Sequence, residues 1–200
     1  MENSENEEST VQPSETLGLV KQRRSLVYAI LLLGLTIGII FGGLMWRKHS
    51  INGPVEAALA GESGVETSVH RRDLIGGWDI VFDVGTTTGE VSMVDMTRRL
   101  LKSAEALESY DFARVYLSSA GKEKFYLEGP YFKQLGEQRE WQNPVFTIRT
   151  MPENVYNLDG TKAFGAWSGG LIGVLGGQMK DNTEFHERWW VNDALSNLRG

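Results

Sequence analysis

The sequence contains no cysteine. That excludes disulfides and thiolate metal sites and leaves the redox compartment open. Histidine is nearly absent too: His49, His70 and His186 lie far apart and form no His-rich metal motif of the H-E-x-x-H kind. A basic excess is also missing. Lys and Arg number 20 against 26 Asp and Glu, a formal charge of −6, whereas a nucleic-acid binder needs a cationic face to displace counterions. No metal, cofactor or nucleic-acid partner is expected from these counts.

Charge is missing most visibly from Ser25 to Trp46, "SLVYAILLLGLTIGIIFGGLMW", which carries none. At about 1.5 Å per residue a helix of this length is roughly 33 Å long, enough for a bilayer core of about 30 Å. A core helix of this length would show a polar face. A signal peptide would have a shorter apolar core and a small-residue cleavage site. The run instead ends at Met45-Trp46-Arg47-Lys48. The expectation is a retained single-pass transmembrane helix over 25–46.

Lys21, Arg23 and Arg24 precede it and Arg47 and Lys48 follow, a balance that weakly places the N-terminus in the cytoplasm. Residues 1–20 carry five Glu and no Lys or Arg, so 1–24 reads as a disordered acidic tail. The remainder would lie outside the cytoplasm, in the periplasm if the membrane is a bacterial inner membrane. Gly34, Gly38 and Gly42 recur every fourth residue, with Gly43 beside them. They form one small-residue stripe of the kind that lets helices approach closely in lipid. The partners expected are other membrane subunits or a second copy. Tyr28 and Trp46 stand near the two ends, where amphipathic aromatics favour the interface.

Residues 47–77 read as a linker with one helical turn, and 78–200 as a folded domain. Trp78–Val84 has strand character. Met93, Met96, Leu100, Ala104 and Leu107 recur at helical spacing, with Ser92 and Asp95 as a capping box. Further helices are expected over 112–127 and 131–141, stopped by Gly129-Pro130 and Asn143-Pro144. Strands are expected over 145–150, 163–175 and 184–191, with a turn at "NLDGTK". In the last strand Phe185, Glu187, Trp189 and Val191 would face one way and His186, Arg188 and Trp190 the other. The predicted class is α+β: helices packed on a curved antiparallel sheet.

Two local likenesses bear on function. "DVGTT" (Asp83–Thr87) resembles the first phosphate loop of sugar kinases and actin-like ATPases. Such folds need a second phosphate loop, and no further Asp-x-Gly-Thr string follows, so nucleotide binding is set aside. "ESYDFARVYLSSAGKEKF" and "EFHERWWVNDALSNL" resemble signatures of the nuclear-transport-factor-2-like superfamily, which includes SnoaL-like domains. Trp189, Trp190 and Asp193 match a "W-x-x-x-D-G-x-W" ending, but Ala194 replaces its glycine. The resemblance implies a cone-shaped domain, and for enzymes of that fold an acid or base in the pocket. Tyr110, Asp111, Tyr156 and His186 are the residues available for that role. A buried structural His186 and a helix-capping Asp111 are the simpler readings.

Trp167, Trp189 and Trp190 are expected in the sheet–helix core, with Trp190 or Trp189 left over for an interface. Trp167, His186 and Trp190 are the residues singled out for a pocket or contact. The layout of tail, single helix and lobe is similar to that of the single-pass assembly factors of type IV secretion machines. The expectation is a non-enzymatic scaffold or accessory subunit, of such a machine or of a respiratory or photosynthetic complex. The alternative is an anchored SnoaL-like enzyme or lipid-binding module.

Overall fold

The computed structural model describes residues 13–73, 78–88 and 90–197, without the side chains of 13–27, 29, 44–50 and 171. By its contacts the chain divides into two units, Met1–Met45 and Trp46–Gly200. Helix α1 runs Pro13–Ala58. Residues 13–24, expected in the disordered tail, are therefore helical, and 1–12 lie outside the described residues. From Tyr28 to Phe41 the large apolar side chains described are 58–65% exposed, with no protein packed over them. A Cβ added at Gly34, Gly38, Gly42 or Gly43 would meet open space. Among the described residues no helix is long and apolar enough to cross a membrane. The side chains described within the apolar run span only 28–43, short of the about 20 residues a crossing needs.

The expected linker is structured. The last turns of α1 bury Ile51 and Val55, and Leu59 follows them into the core. Strand β1 (Val65–Arg71) follows. Asn52 Oδ1 accepts from the Val69 N–H at 3.1 Å, tying the helix to this edge strand. The lobe continues with β2 (Ile80–Thr87), α2 (Met93–Ala106), β3 (Arg114–Ser119), β4 (Lys122–Glu128), α3 (Gly129–Gln138), α4 (Pro144–Thr150) and β5 (Val155–Asn157). Helix α5 (Leu171–His186), a π-helical turn (Glu187–Val191) and α6 (Asn192–Asn197) complete it. The class is α+β, as expected.

The five strands lie in the order β1-β2-β3-β4-β5. The sheet is mixed, not antiparallel: β2 and β3 run parallel. A parallel neighbour needs a crossover, and α2 lies between the two in sequence. Its start is the expected capping box: Ser92 Oγ accepts from the Asp95 N–H at 3.1 Å, and Asp95 Oδ2 accepts from the Ser92 N–H at 3.2 Å.

Four segments differ from expectation. Residues 112–127 form the β3–β4 hairpin rather than a helix. Its turn, Ala120-Gly121, has φ of 51° and 73°, as a two-residue mirror-image turn requires. Gly121 is thus the turn itself, not a weak point in a helix. Its N–H donates to Asp83 Oδ1 at 3.1 Å. Residues 145–150 form α4 rather than a strand, because Asn143-Pro144 starts a helix. Asn143 Oδ1 accepts from the Val145 N–H at 3.0 Å, and Pro144 occupies the first turn, where no N–H is needed. Residues 163–175 are loop and the start of α5, and 184–191 are helical. The two segments that carry the superfamily resemblance therefore have a different secondary structure from the one it implies.

One core fills the space between the sheet and the helices, built from Phe82, Leu100, Leu117, Phe125, Leu127, Phe132, Phe185 and Trp189 among others. Backbone passes very close to Gly129, where a Cβ would stand 1.7 Å from the Phe112 carbonyl oxygen. Gly129→Ala should force β3 and α3 apart and destabilise the lobe by about 1–3 kcal/mol or more. Urea unfolding checks this, and a midpoint equal to the parent's would contradict the close approach.

Candidate functional site

A ligand site in a sheet-and-helix lobe of this kind belongs between the two layers. Aromatic side chains fill that space. Phe185 stacks on Trp189 with ring centroids 5.3 Å apart, Phe82 meets Trp189 at 5.9 Å, and Phe125 meets Phe185 at 5.9 Å and Phe164 at 6.2 Å. The Trp189 indole N–H donates to the Ser118 carbonyl at 3.1 Å, at the bulge of the β3–β4 ladder.

His186 is fully buried beside this cluster. The Trp190 indole N–H donates to His186 Nδ1 at 2.9 Å. An indole nitrogen only donates, so Nδ1 is the acceptor and the proton resides on Nε2. Nε2 then donates to Thr97 Oγ1 at 3.1 Å, and that hydroxyl donates to the Met93 carbonyl at 3.0 Å. Every hydrogen-bonding atom of the neutral ring is used. Burial pushes its pKa down to about 4, because the imidazolium would lose its hydration. A histidine held neutral with both nitrogens engaged is a structural tie between α2 and α5, not a poised base.

The other residues considered for chemistry do not converge on His186. Tyr110 stacks on Phe112 at 6.0 Å and borders an open depression of about 590 Å³ with Trp78 and Asp111. Asp111 does not cap a helix; it precedes β3 and pairs with Lys133 at 2.8 Å. Tyr156 lies on the opposite face of the sheet, stacked on Tyr126 at 5.1 Å. Trp190 is buried, correcting the expectation that Trp189 or Trp190 is left outside. A strand would point the two indoles apart. In a helix, neighbours are about 100° apart and share a buried stripe, with Phe185–Trp189 and His186–Trp190 at spacing four. Trp167 is 43% exposed.

"DVGTT" is strand through Thr87, with Asp83 engaged on the hairpin turn, so it cradles no phosphate; Gly89 lies outside the described residues. Among the described residues no group of three or more His, Cys, Asp or Glu could hold a metal ion.

Apart from Tyr156, the outer face of the sheet lies outside every site expected from the sequence. Tyr116, Tyr126 and Tyr156 form a ladder there, with Val81 beside it. Cations cover the rings: Arg72 over Tyr116 at 4.1 Å, Arg114 over Tyr126 at 5.1 Å and Lys162 over Tyr156 at 4.0 Å. Arg72 also pairs with Glu123 at 2.8 Å, a contact that raises its pKa. The alternation of β3 and β4 was the signal, hidden once 112–127 was read as helix. Among the helices, α2, α3 and α4 enclose a smaller cavity of about 270 Å³. Its two arginines are already paired, Arg98 with Asp95 and Arg139 with Glu105.

Compared with family models, curated proteins and solved structures, the chain finds no match.

Proposed function

We propose that the chain is a non-enzymatic, single-pass membrane scaffold or accessory subunit, with a helix over 25–46 in the bilayer and an α+β lobe at its surface. The observation that carries the non-catalytic part is the packed aromatic cluster where a pocket would stand, with His186 neutral and saturated. The membrane part is supported by the uncharged run Ser25–Trp46 and by the exposure of its described side chains, which in water would be a large uncovered apolar surface. A component of a type IV secretion-like assembly in a bacterial inner membrane, N-terminus inside, is the most specific form of this reading. It now rests on the order of tail, apolar helix and lobe.

The stripe Gly34, Gly38, Gly42 and Gly43 is the contact face for a neighbouring helix. Replacing Gly34, Gly38 and Gly42 together by leucine fills that face with side chains and should remove most of whatever co-migrates with the full chain after mild detergent extraction. Helical content and membrane insertion should persist, since leucine favours both. Unchanged co-migration and unchanged self-crosslinking would defeat the packing face.

A further inference from the structure

The N-terminal half of α5 exposes what a water-facing helix should hide. Ile172 is 89% exposed, Leu175 39% and Met179 43%, and at spacings of three and seven they share one side of the helix. The neighbouring buried stripe opens with two polar residues, Gln178 and Asn182. Trp167 lies against this helix: its ring would be 2.5 Å from a Cβ at Gly177, and its indole N–H donates to Asp181 at 2.7 Å. Helix α4 packs on α5 and leaves Val145 and Phe146 exposed as well, with Trp141 just before it 69% exposed.

Charge sets this region apart. In a chain with 26 carboxylates, residues 141–152 and 160–180 contain none, and they carry Arg149, Lys162 and Lys180, of which Lys162 is already held over the Tyr156 ring on the outer face of the sheet. Apolar residues with tryptophans, a few cations and few carboxylates, with Asp181 already accepting from the Trp167 indole, are the composition of a surface that settles into the headgroup layer of an anionic bilayer. The chain also brings that bilayer within reach. Five Cα–Cα steps lead from Trp46 to Ile51, which is buried in the lobe's core. Even fully extended they span no more than about 18 Å.

We propose that the α4–α5 surface, centred on Ile172, Leu175 and Trp167, is a second membrane contact that lays the lobe on an anionic bilayer. This rests on the single-pass reading above. The apolar side chains would enter the headgroup–acyl boundary, about 5–10 Å deep, while Arg149 and Lys180 meet lipid phosphates.

The absence of cysteine makes the test clean, because each variant carries one thiol. Ile37→Cys, Ile172→Cys and Glu108→Cys are made in the full chain, labelled with an environment-sensitive fluorophore and reconstituted in phosphatidylcholine–phosphatidylglycerol vesicles. Quenchers are lipids with a nitroxide high or low on the acyl chain. Ile172 is so exposed that the label disturbs no packing, and Glu108, exposed beyond the end of α2, is the control. The label at 37 should be quenched best by the deep nitroxide. The label at 172 should lose roughly half its emission to the shallow nitroxide, and more in anionic than in zwitterionic vesicles. The label at 108 should lose little.

Quenching at 37 but not at 172 overturns the surface contact and leaves the anchor standing. No quenching at 37 overturns the anchor and this inference with it. A blue-shifted label at 172 that no lipid nitroxide reaches means that protein covers the surface, and also overturns the proposal.

Discussion

Replacing Trp189 by alanine should lower the stability of the lobe by about 3–5 kcal/mol, the usual cost of truncating a buried aromatic. Trp189 is fully buried. It contacts Phe82 and Phe185 and holds the Ser118 carbonyl, so it joins the helical C-terminal segment to two strands. Truncation removes three things together: the ring's buried area, its stacking, and the indole hydrogen bond to that carbonyl. For a lobe of this size the thermal midpoint should fall by roughly 10 °C or more. The readout is near-ultraviolet circular dichroism of the full chain in detergent, which follows aromatic packing rather than the apolar helix. Since the proposed function needs the lobe as a solid body, the same variant should co-migrate poorly with its partners. A loss below about 1 kcal/mol would mean that the space between the layers is not organised around this ring, and a ligand pocket there would become the better reading.

Acidification should cost nearly as much. His186 has a folded pKa of about 4, against about 6.5 in an unfolded chain. Between those values the unfolded state binds the extra proton, so stability rises with pH across the window. The contribution is complete above pH 6.5 and is lost as pH falls toward 4, by about 3 kcal/mol in all. Below pH 4 this group costs nothing further. Glu62 also loses stabilisation on acidification, because its hydrogen bond from Lys102 holds its pKa below the usual value. The comparison that isolates the histidine is therefore the parent against His186→Gln, each unfolded by urea from pH 7 to 4. The difference between them should shrink as pH falls. A difference that stays constant from pH 7 to 4 would show that His186 is not held neutral in the fold.

Both expectations concern residues whose surroundings the sequence misplaced, for a definable reason. "EFHERWWV" alternates like a strand, yet the same letters put Phe185 over Trp189 and His186 over Trp190 in a helix. Local periodicity over eight residues satisfies both, and only the neighbours choose. Here Phe82 and the Ser118 carbonyl receive Trp189, and His186 receives Trp190, so the helix wins. "DFARVYLSSAGKEKFYLE" failed in the opposite sense. Its apolar residues fit a helix with a weak glycine, but Asp83 reaches across from β2 to the Gly121 N–H and fixes a hairpin turn. Asn143-Pro144 suits a helix stop and a helix start alike, and here Asn143 caps α4.

What the sequence determined alone was whatever depends on neighbours within a turn or two. The uncharged, glycine-striped run Ser25–Trp46, the capped helix after Ser92, the strand before Gly85 and the Asp-Gly turn at 159–160 are set by side-chain polarity, by spacing and by hydrogen bonds closed within a few residues. The tertiary structure alone decided that β2 and β3 run parallel, that adjacent tryptophans are both inside, that His186 is spent on an indole and a hydroxyl, and that Ile172 is left outside. These depend on segments far apart in the chain, as Thr97 is from His186, and burial is a property of the assembled surface that no local pattern encodes.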